Sequence, residues 1–191
     1  AEGDVVRVGG PAEDSPGPDL VGTLVGSEGT LAVVTKIWVR LTRNPQGVRT
    51  MLAVFDSADD TSRAISGIIG AGIIPAALEM MDHGIIAAVE EAFRFGFPLD
   101  AEAVLIVEVD GLEAGLDAQR DRIADICRRE GAREVRFAAD AKERLQLWKA
   151  RKQAFGAIGR LSPSFCTQDG VVPRTKLPHI LARIREIGTR H

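Results

Sequence analysis

After the punctuation Asn44-Pro45-Gln46-Gly47, strand signals and helix signals alternate to the end of the chain, and that alternation limits the fold more than any other feature. Residues 48–55 read as a strand. Ser57, with Asp59 and Asp60 behind it, gives a capped and acidic start to a helix that runs to about residue 71, where Gly70 and Gly72 end it. Residues 76–82 predict a second strand, and Ile86, Val89 and Phe93, three and four apart, predict a helix closed by Gly96 and Pro98. The clearest strand signal is 103–110. Leu112, Leu116, Ile123, Ile126 and Cys127 then share one side of a helix terminated by Gly131, with Asp117, Arg120, Asp121 and Arg128 on the other side. A short strand over 134–138, a helix capped by Asp140 and reaching residue 160, a last strand over 168–173, and a helix carrying Leu177, Ile180, Leu181, Ile184 and Ile187 complete the series. With helices after the first and third strands, the order matches a split βαβ arrangement. We therefore expect an α+β fold, a ferredoxin-like antiparallel sheet with helices packed on one face, rather than a doubly wound parallel sheet.

Upstream of the boundary the chain has a different character. Residues 4–8 alternate into a short strand that Gly9-Gly10-Pro11 breaks, and residues 10–19, with Pro11, Pro16, Gly17 and Pro18, read as a solvated connector. Asp19 caps a short apolar segment, 20–25. The turn Gly26-Ser27-Glu28-Gly29-Thr30 follows, and residues 31–41, rich in Val, Ile and Thr, predict a strand. The expected partition is 1–45 and 46–191.

Composition excludes several classes of function. Of the 191 residues, 24 are Lys or Arg and 27 Asp or Glu, so the net charge of −3 offers no field for wrapping nucleic acid. The two cysteines, Cys127 and Cys166, allow neither a disulfide framework nor a Cys-based zinc site, and both are read as thiols of a reducing compartment. The first residues carry no signal-peptide pattern, and the longest apolar stretch, 67–78, is broken by Gly70, Gly72 and Pro75. A soluble chain is expected.

Two places could carry chemistry. In Gly26-Ser27-Glu28-Gly29-Thr30, two glycines three apart permit positive φ and close backbone approach, while amides and hydroxyls could donate to phosphate oxygens; a plain tight turn is the alternative. The spacing fits neither a P-loop nor a Rossmann fingerprint. On the helix from Asp140, Leu145, Trp148, Phe155 and Ile158 define the expected apolar stripe, and Arg151 falls on it. A guanidinium keeps its charge, so it needs an anion there. Either a carboxylate of the protein or one of a ligand could serve, at about 1.5–3 kcal/mol per charged hydrogen bond. Glu79 reads as a strand carboxylate, buried or in a cross-strand ion pair. His83, His179 and His191 are far apart and lack ligand spacing, so no metal site is expected from this chain.

Several segments together resemble a known family. Gly26-Ser27-Glu28-Gly29-Thr30-Leu31-Ala32-Val33-Val34-Thr35-Lys36 is similar to the segment that ends the FAD-binding domain of vanillyl-alcohol-oxidase-type flavoproteins, with Ala32 where that family often has Gly. Leu78-Glu79-Met80-Met81-Asp82, Leu147-Trp148-Lys149-Ala150-Arg151-Lys152-Gln153-Ala154-Phe155, Gly159-Arg160-Leu161-Ser162-Pro163 and Asp169-Gly170-Val171-Val172-Pro173-Arg174 resemble the cap domain of FAD-linked 2-hydroxy-acid oxidases. Bacterial glycolate oxidases and D-lactate dehydrogenases belong to this group. The resemblance covers essentially the whole chain.

The resemblance implies an FAD-dependent oxidoreductase that passes a hydride from C2 of a small 2-hydroxy acid, such as glycolate or D-lactate, to the flavin. It implies that Gly26, Ser27, Glu28, Gly29, Thr30, Val33 and Val34 approach FAD, mainly through backbone groups, and that Arg151 binds the substrate carboxylate. It further implies that residues 1–45 are the end of an FAD-binding domain and 46–191 most of a cap, with the catalytic base and the His-rich metal motifs lying downstream. The expectation is thus a piece of a longer enzyme that by itself binds no FAD tightly and turns over nothing. Its implied partners are a second flavin-type subunit and an iron-sulfur subunit at the cytoplasmic face of a membrane. An exposed sheet edge able to pair with a second copy is also expected. The competing reading is a non-catalytic α+β ligand-binding or assembly module in which Arg151 is a structural ion pair.

Overall fold

The computed structural model describes residues 3–10, 17–162 and 164–190, and the chain divides into two units, 1–43 and 44–191. In the first unit Asp19 accepts the Gly22 amide at 2.8 Å and caps a single short helix, α1 (Leu20–Leu24). The strands expected over 4–8 and 31–41 do not form. Both segments lack regular structure, and Val33, Ile37, Trp38, Val39 and Leu41 are exposed. β-branched composition makes a segment fit for a sheet, yet a strand exists only where a neighbour completes its ladder, and among the described residues none does. Most of the expected connector, 11–16, lies outside the described residues.

The second unit is built on four strands, β1 (Gly47–Phe55), β2 (Ala77–Asp82), β3 (Ala103–Gly111) and β4 (Ala132–Phe137). They lie in the order β2-β3-β1-β4 with every neighbouring pair antiparallel, so β3 is inserted between β1 and β2. This is the expected α+β, split βαβ sheet, with β2 and β4 at its edges. Helix α2 (Ala58–Gly70), capped by Ser57, joins β1 to β2. After β2 comes α3 (His83–Phe93), capped by Asp82; after β3 comes α4 (Leu116–Arg129), which begins four residues later than its apolar pattern and leaves Leu112 exposed. Last come α5 (Ala141–Leu161) and α6 (Leu177–Arg190).

The helices cover both faces of the sheet, where the sequence reading placed them on one. On the first face Met51, Ala53 and Phe55 of β1 and Leu105, Val107 and Val109 of β3 meet Ile65 and Ile68 of α2 and Ile123, Ile126 and Cys127 of α4. On the second, Leu52, Val54, Val104 and Ile106 meet Ile86 and Val89 of α3 and Leu147, Ala150 and Ala157 of α5. The cause is written in the two central strands. Residues 51–55 and 103–107 are apolar without alternation, so neither face can be left to water. Burying each such side chain contributes ~1.5–3 kcal/mol, and both layers are therefore core.

Two further expectations are corrected. On α5 the buried positions are Leu147, Ala150 and Ala157, while Leu145 and Phe155 are exposed. The small alanines let α5 pack closely on α3, which turns the helix away from the stripe that size alone suggested. Arg151 consequently sits on a flank of α5 rather than over the core. Residues 168–173 form no strand and lead instead into a single 3-10 turn (Arg174–Lys176); Val171 is exposed there, Pro173 has no N–H to donate, and neither sheet edge pairs with the segment.

Candidate functional site

The start of α5 is set by a reciprocal cap. Asp140 accepts the Glu143 amide at 2.8 Å, and Glu143 accepts the Ala139 amide at 2.8 Å. From that start Arg144, Trp148 and Arg151 fall on successive turns of one flank, above the second face of the sheet. Opposite them the strands carry acids. Glu108 of β3 is in register with Thr50 of β1 and Ala77 of β2, on the face shared by Val104 and Ile106; Glu79 of β2 is in register with Ile106.

Glu108 is only 8% exposed, and its carboxylate is satisfied from three sides. Arg144 donates from Nε to Oε2 and from NH2 to Oε1, both at 2.7 Å; Thr50 Oγ1 donates to Oε2 at 2.6 Å and Trp148 Nε1 to Oε2 at 2.7 Å. Burial, the largest single influence, pushes its pKa up, but the bonds from Arg144, Thr50 and Trp148 together hold the carboxyl below its ordinary value. The group is an anion at neutral pH, and four donated bonds, three on Oε2 and one on Oε1, hold it in place. Glu108 is therefore structural in its contacts, and Arg144 has spent its fork on it.

Arg151 differs. Its NH2 lies 3.1 Å from Oε1 of Glu79, with the two side chains 43% and 33% exposed. This is the ion pair foreseen for a protein carboxylate, made from helix to strand instead of across strands. Among the described residues the guanidinium makes no hydrogen bond of good geometry, and its ion pair engages NH2 alone, leaving Nε and NH1 without an acceptor. Sequence reasoning singled out Arg151 and Glu79 but missed Thr50, Glu108, Arg144 and Trp148. The available signal was Thr50 and Glu108, polar residues directly beside the apolar runs 51–55 and 103–107.

In the first unit the turn at 26–30 has Gly26 at φ +81°, Glu28 at +50° and Gly29 at +76°. Within it Ser27 donates its amide to Leu24 at 3.1 Å, and Thr30 donates its amide and its hydroxyl to Ser27 O at 2.9 and 2.6 Å. The Thr30 hydroxyl is thus spent on the turn. Nothing lies within 4 Å of where a Cβ would stand at Gly26 or Gly29, and the amides of Glu28 and Gly29 meet no acceptor among the described residues. Val33 and Val34 beyond it are exposed.

His83 begins α3 with Nδ1 3.1 Å from Ala101 O, His179 is exposed, and His191 lies outside the described residues. Among the described residues, no three His, Cys, Asp or Glu side chains gather as metal ligands.

Against known proteins, residues 44–191 match the family described as FAD linked oxidases, C-terminal domain. The chain belongs to the FAD-linked oxidases. The glycolate oxidase subunit GlcD of Escherichia coli is 42% identical over the whole chain, and that of Bacillus subtilis 36%. A mitochondrial D-lactate dehydrogenase [cytochrome] of Arabidopsis thaliana is 29% identical over 96% of it. The chain spans 38%, 41% and 33% of the lengths of these three relatives. A solved structure of alkyldihydroxyacetonephosphate synthase superposes with a TM-score of 0.67 over 94% of this chain and 38% of that one, at 17% identity, a likeness of fold alone. The cofactor of the family is FAD. The turn at 26–30 suits it, since open space over both glycines and unbonded amides are what backbone approach to a flavin group requires.

Proposed function

We propose that this chain is the cap, with the adjoining end of the FAD-binding domain, of an oxidase that converts a small 2-hydroxy acid, glycolate or D-lactate, to the 2-oxo acid. The observation that carries this reading is the contrast between two arginines on one helix flank. Arg144 is closed bidentately on Glu108, whereas Arg151 touches Glu79 at one point and keeps its fork open. An ion pair as exposed as Arg151–Glu79 is worth ~0.2–1 kcal/mol, while a bidentate carboxylate gains ~1.5–3 kcal/mol per charged hydrogen bond. A substrate carboxylate can therefore take the fork from Glu79.

Bound FAD would supply the hydride acceptor. This chain's share of the work is to bind and orient: Arg151 holds C1 of the acid so that C2 faces the flavin, and Gly26, Ser27, Glu28, Gly29, Thr30, Val33 and Val34 meet the cofactor mainly through backbone. Residues 1–45 and 46–191 would be the two parts concerned. The name of the GlcD relatives calls them subunits, and by that likeness the enzyme would work with a second flavin-type subunit and an iron-sulfur subunit on the cytoplasmic side of the membrane. Among the described residues no helix is long and apolar enough to cross a membrane.

The test is Arg151→Ala in the enzyme at the full length of its relatives. KM for glycolate and D-lactate should rise and kcat/KM fall ~100-fold, which corresponds to ~2.7 kcal/mol of binding, with FAD content unchanged. The second reading, a non-catalytic module, draws on the Arg151–Glu79 pair itself; a loss of stability with unaltered kinetics would favour it.

A further inference from the structure

We propose that Glu108 is a positioning residue for Arg151, acting through the grip of its carboxylate on Arg144 and Trp148. The proposal rests on Arg151 being the carboxylate anchor. Glu108 itself is buried and negatively charged, and its carboxylate is turned to Thr50, Arg144 and Trp148, so it does not itself hold an acid substrate.

The apolar side of α5, Leu147, Ala150 and Ala157 with Trp148 and Ala154 partly buried beside them, sets which side of the helix meets α3. Directional bonds tie the same turns to the sheet. Arg144 and Trp148, one turn apart, converge on a single carboxylate anchored in the central strand β3 and backed by Thr50 of β1, so helix rotation or translation would break three bonds together. Arg151 comes seven residues after Arg144, about 10.5 Å along the axis and only about 20° around it, and so inherits the placement of the gripped turns.

The strand side repeats the spacing. Glu79 is in register with Ile106, two residues from Glu108 and one strand over, a diagonal of roughly 7–8 Å on the same face. Two carboxylates of the sheet thus face two arginines of one helix. The inner pair is closed and the outer one open, as a fixed mount beside an exchangeable contact requires. Glu108 has a second effect in that it neutralises Arg144. Without it another permanent cation on the same flank would compete with Arg151 for Glu79 and for an incoming acid.

The experiment compares Glu108→Gln and Arg144→Lys, alone and combined with Arg151→Ala, in the enzyme at the full length of its relatives, with thermal stability, FAD content, and kcat and KM for glycolate and D-lactate measured for each. Arg144→Lys keeps the charge and loses the fork at the partly exposed end of the pair, so it tests the same grip without altering the buried carboxylate. We expect KM to rise about tenfold in each single variant, with kcat within about twofold and FAD retained, and no further rise when either change is added to Arg151→Ala. A lowered melting temperature with unchanged KM overturns the proposal, as does an equal rise in KM with and without Arg151; in both cases Arg151→Ala alone still raises KM and the anchor stands. Unchanged KM in Arg151→Ala overturns the anchor and this proposal with it.

Discussion

Arg144 and Glu108 meet fork to fork, Nε to Oε2 and NH2 to Oε1 at 2.7 Å each, across the boundary between helix α5 and the middle of the sheet. The acid is almost fully enclosed and the arginine is about one-third exposed, so the two ends of the pair are not equivalent. Removing the arginine strands a buried charge, whereas removing an exposed partner does not.

Arg144→Ala should therefore cost about 2–3 kcal/mol, since Thr50 and Trp148 still donate to the stranded carboxylate. For a chain of this size that lowers the melting temperature by about 4–12 °C. Arg151→Ala should change stability by no more than about 1 kcal/mol. Thermal unfolding of both variants checks the contrast, and equal losses would contradict it.

Acid should weaken the fold through the same carboxylate. The folded-state pKa of Glu108 lies below its ordinary value of 4.5, because the bonds from Arg144, Thr50 and Trp148 outweigh burial. The unfolded state thus takes up a proton first. The stabilisation is complete above about pH 4.5 and is lost as pH falls through the folded value. Melting temperature followed from pH 6 to 3 should fall less steeply in Glu108→Gln than in the unaltered chain.

If both faces of the sheet are core, deletions on either should be equally severe. Ile86→Ala on α3 and Ile123→Ala on α4, both at 0% exposure, should each cost about 2–5 kcal/mol in denaturant unfolding. A loss under about 1 kcal/mol for Ile86→Ala would make the second face a surface layer.

The two thiols should separate by reactivity. Burial pushes Cys127 up to about 11, while Cys166 is exposed. A thiol-reactive dye at pH 8 should label one cysteine per folded chain, at Cys166, and both after unfolding; peptide mapping reads the positions.

The legible parts were those where a local rule and the tertiary outcome agree. Ser57 and Asp140 cap the helices they introduce, and the central strands fall where the apolar runs lie, because capping and strand composition act within a few residues. Arg151 and Glu79 were singled out as charges in apolar company, whereas the structure pairs them on a half-exposed flank. What failed was each expectation that needed knowledge of a neighbour. Residues 31–41 have the composition of a strand and, among the described residues, no ladder to join, and Leu145 and Phe155 have the size of core residues on a helix whose packed side is lined by alanine.

The amino-acid sequence by itself determined the order of the four paired strands and the helices between them, and the antiparallel split βαβ sheet, since propensity, caps and apolar periodicity are properties of short stretches. Only the tertiary structure decided that α3 and α5 close the second face, that Glu108 consumes Arg144, and that Arg151 is left with an open fork beside Glu79. Those outcomes depend on which residues, far apart in the chain, come within about 3 Å of each other. Hydrogen-bond strength falls off so steeply with distance and angle that only the packed arrangement can assign it.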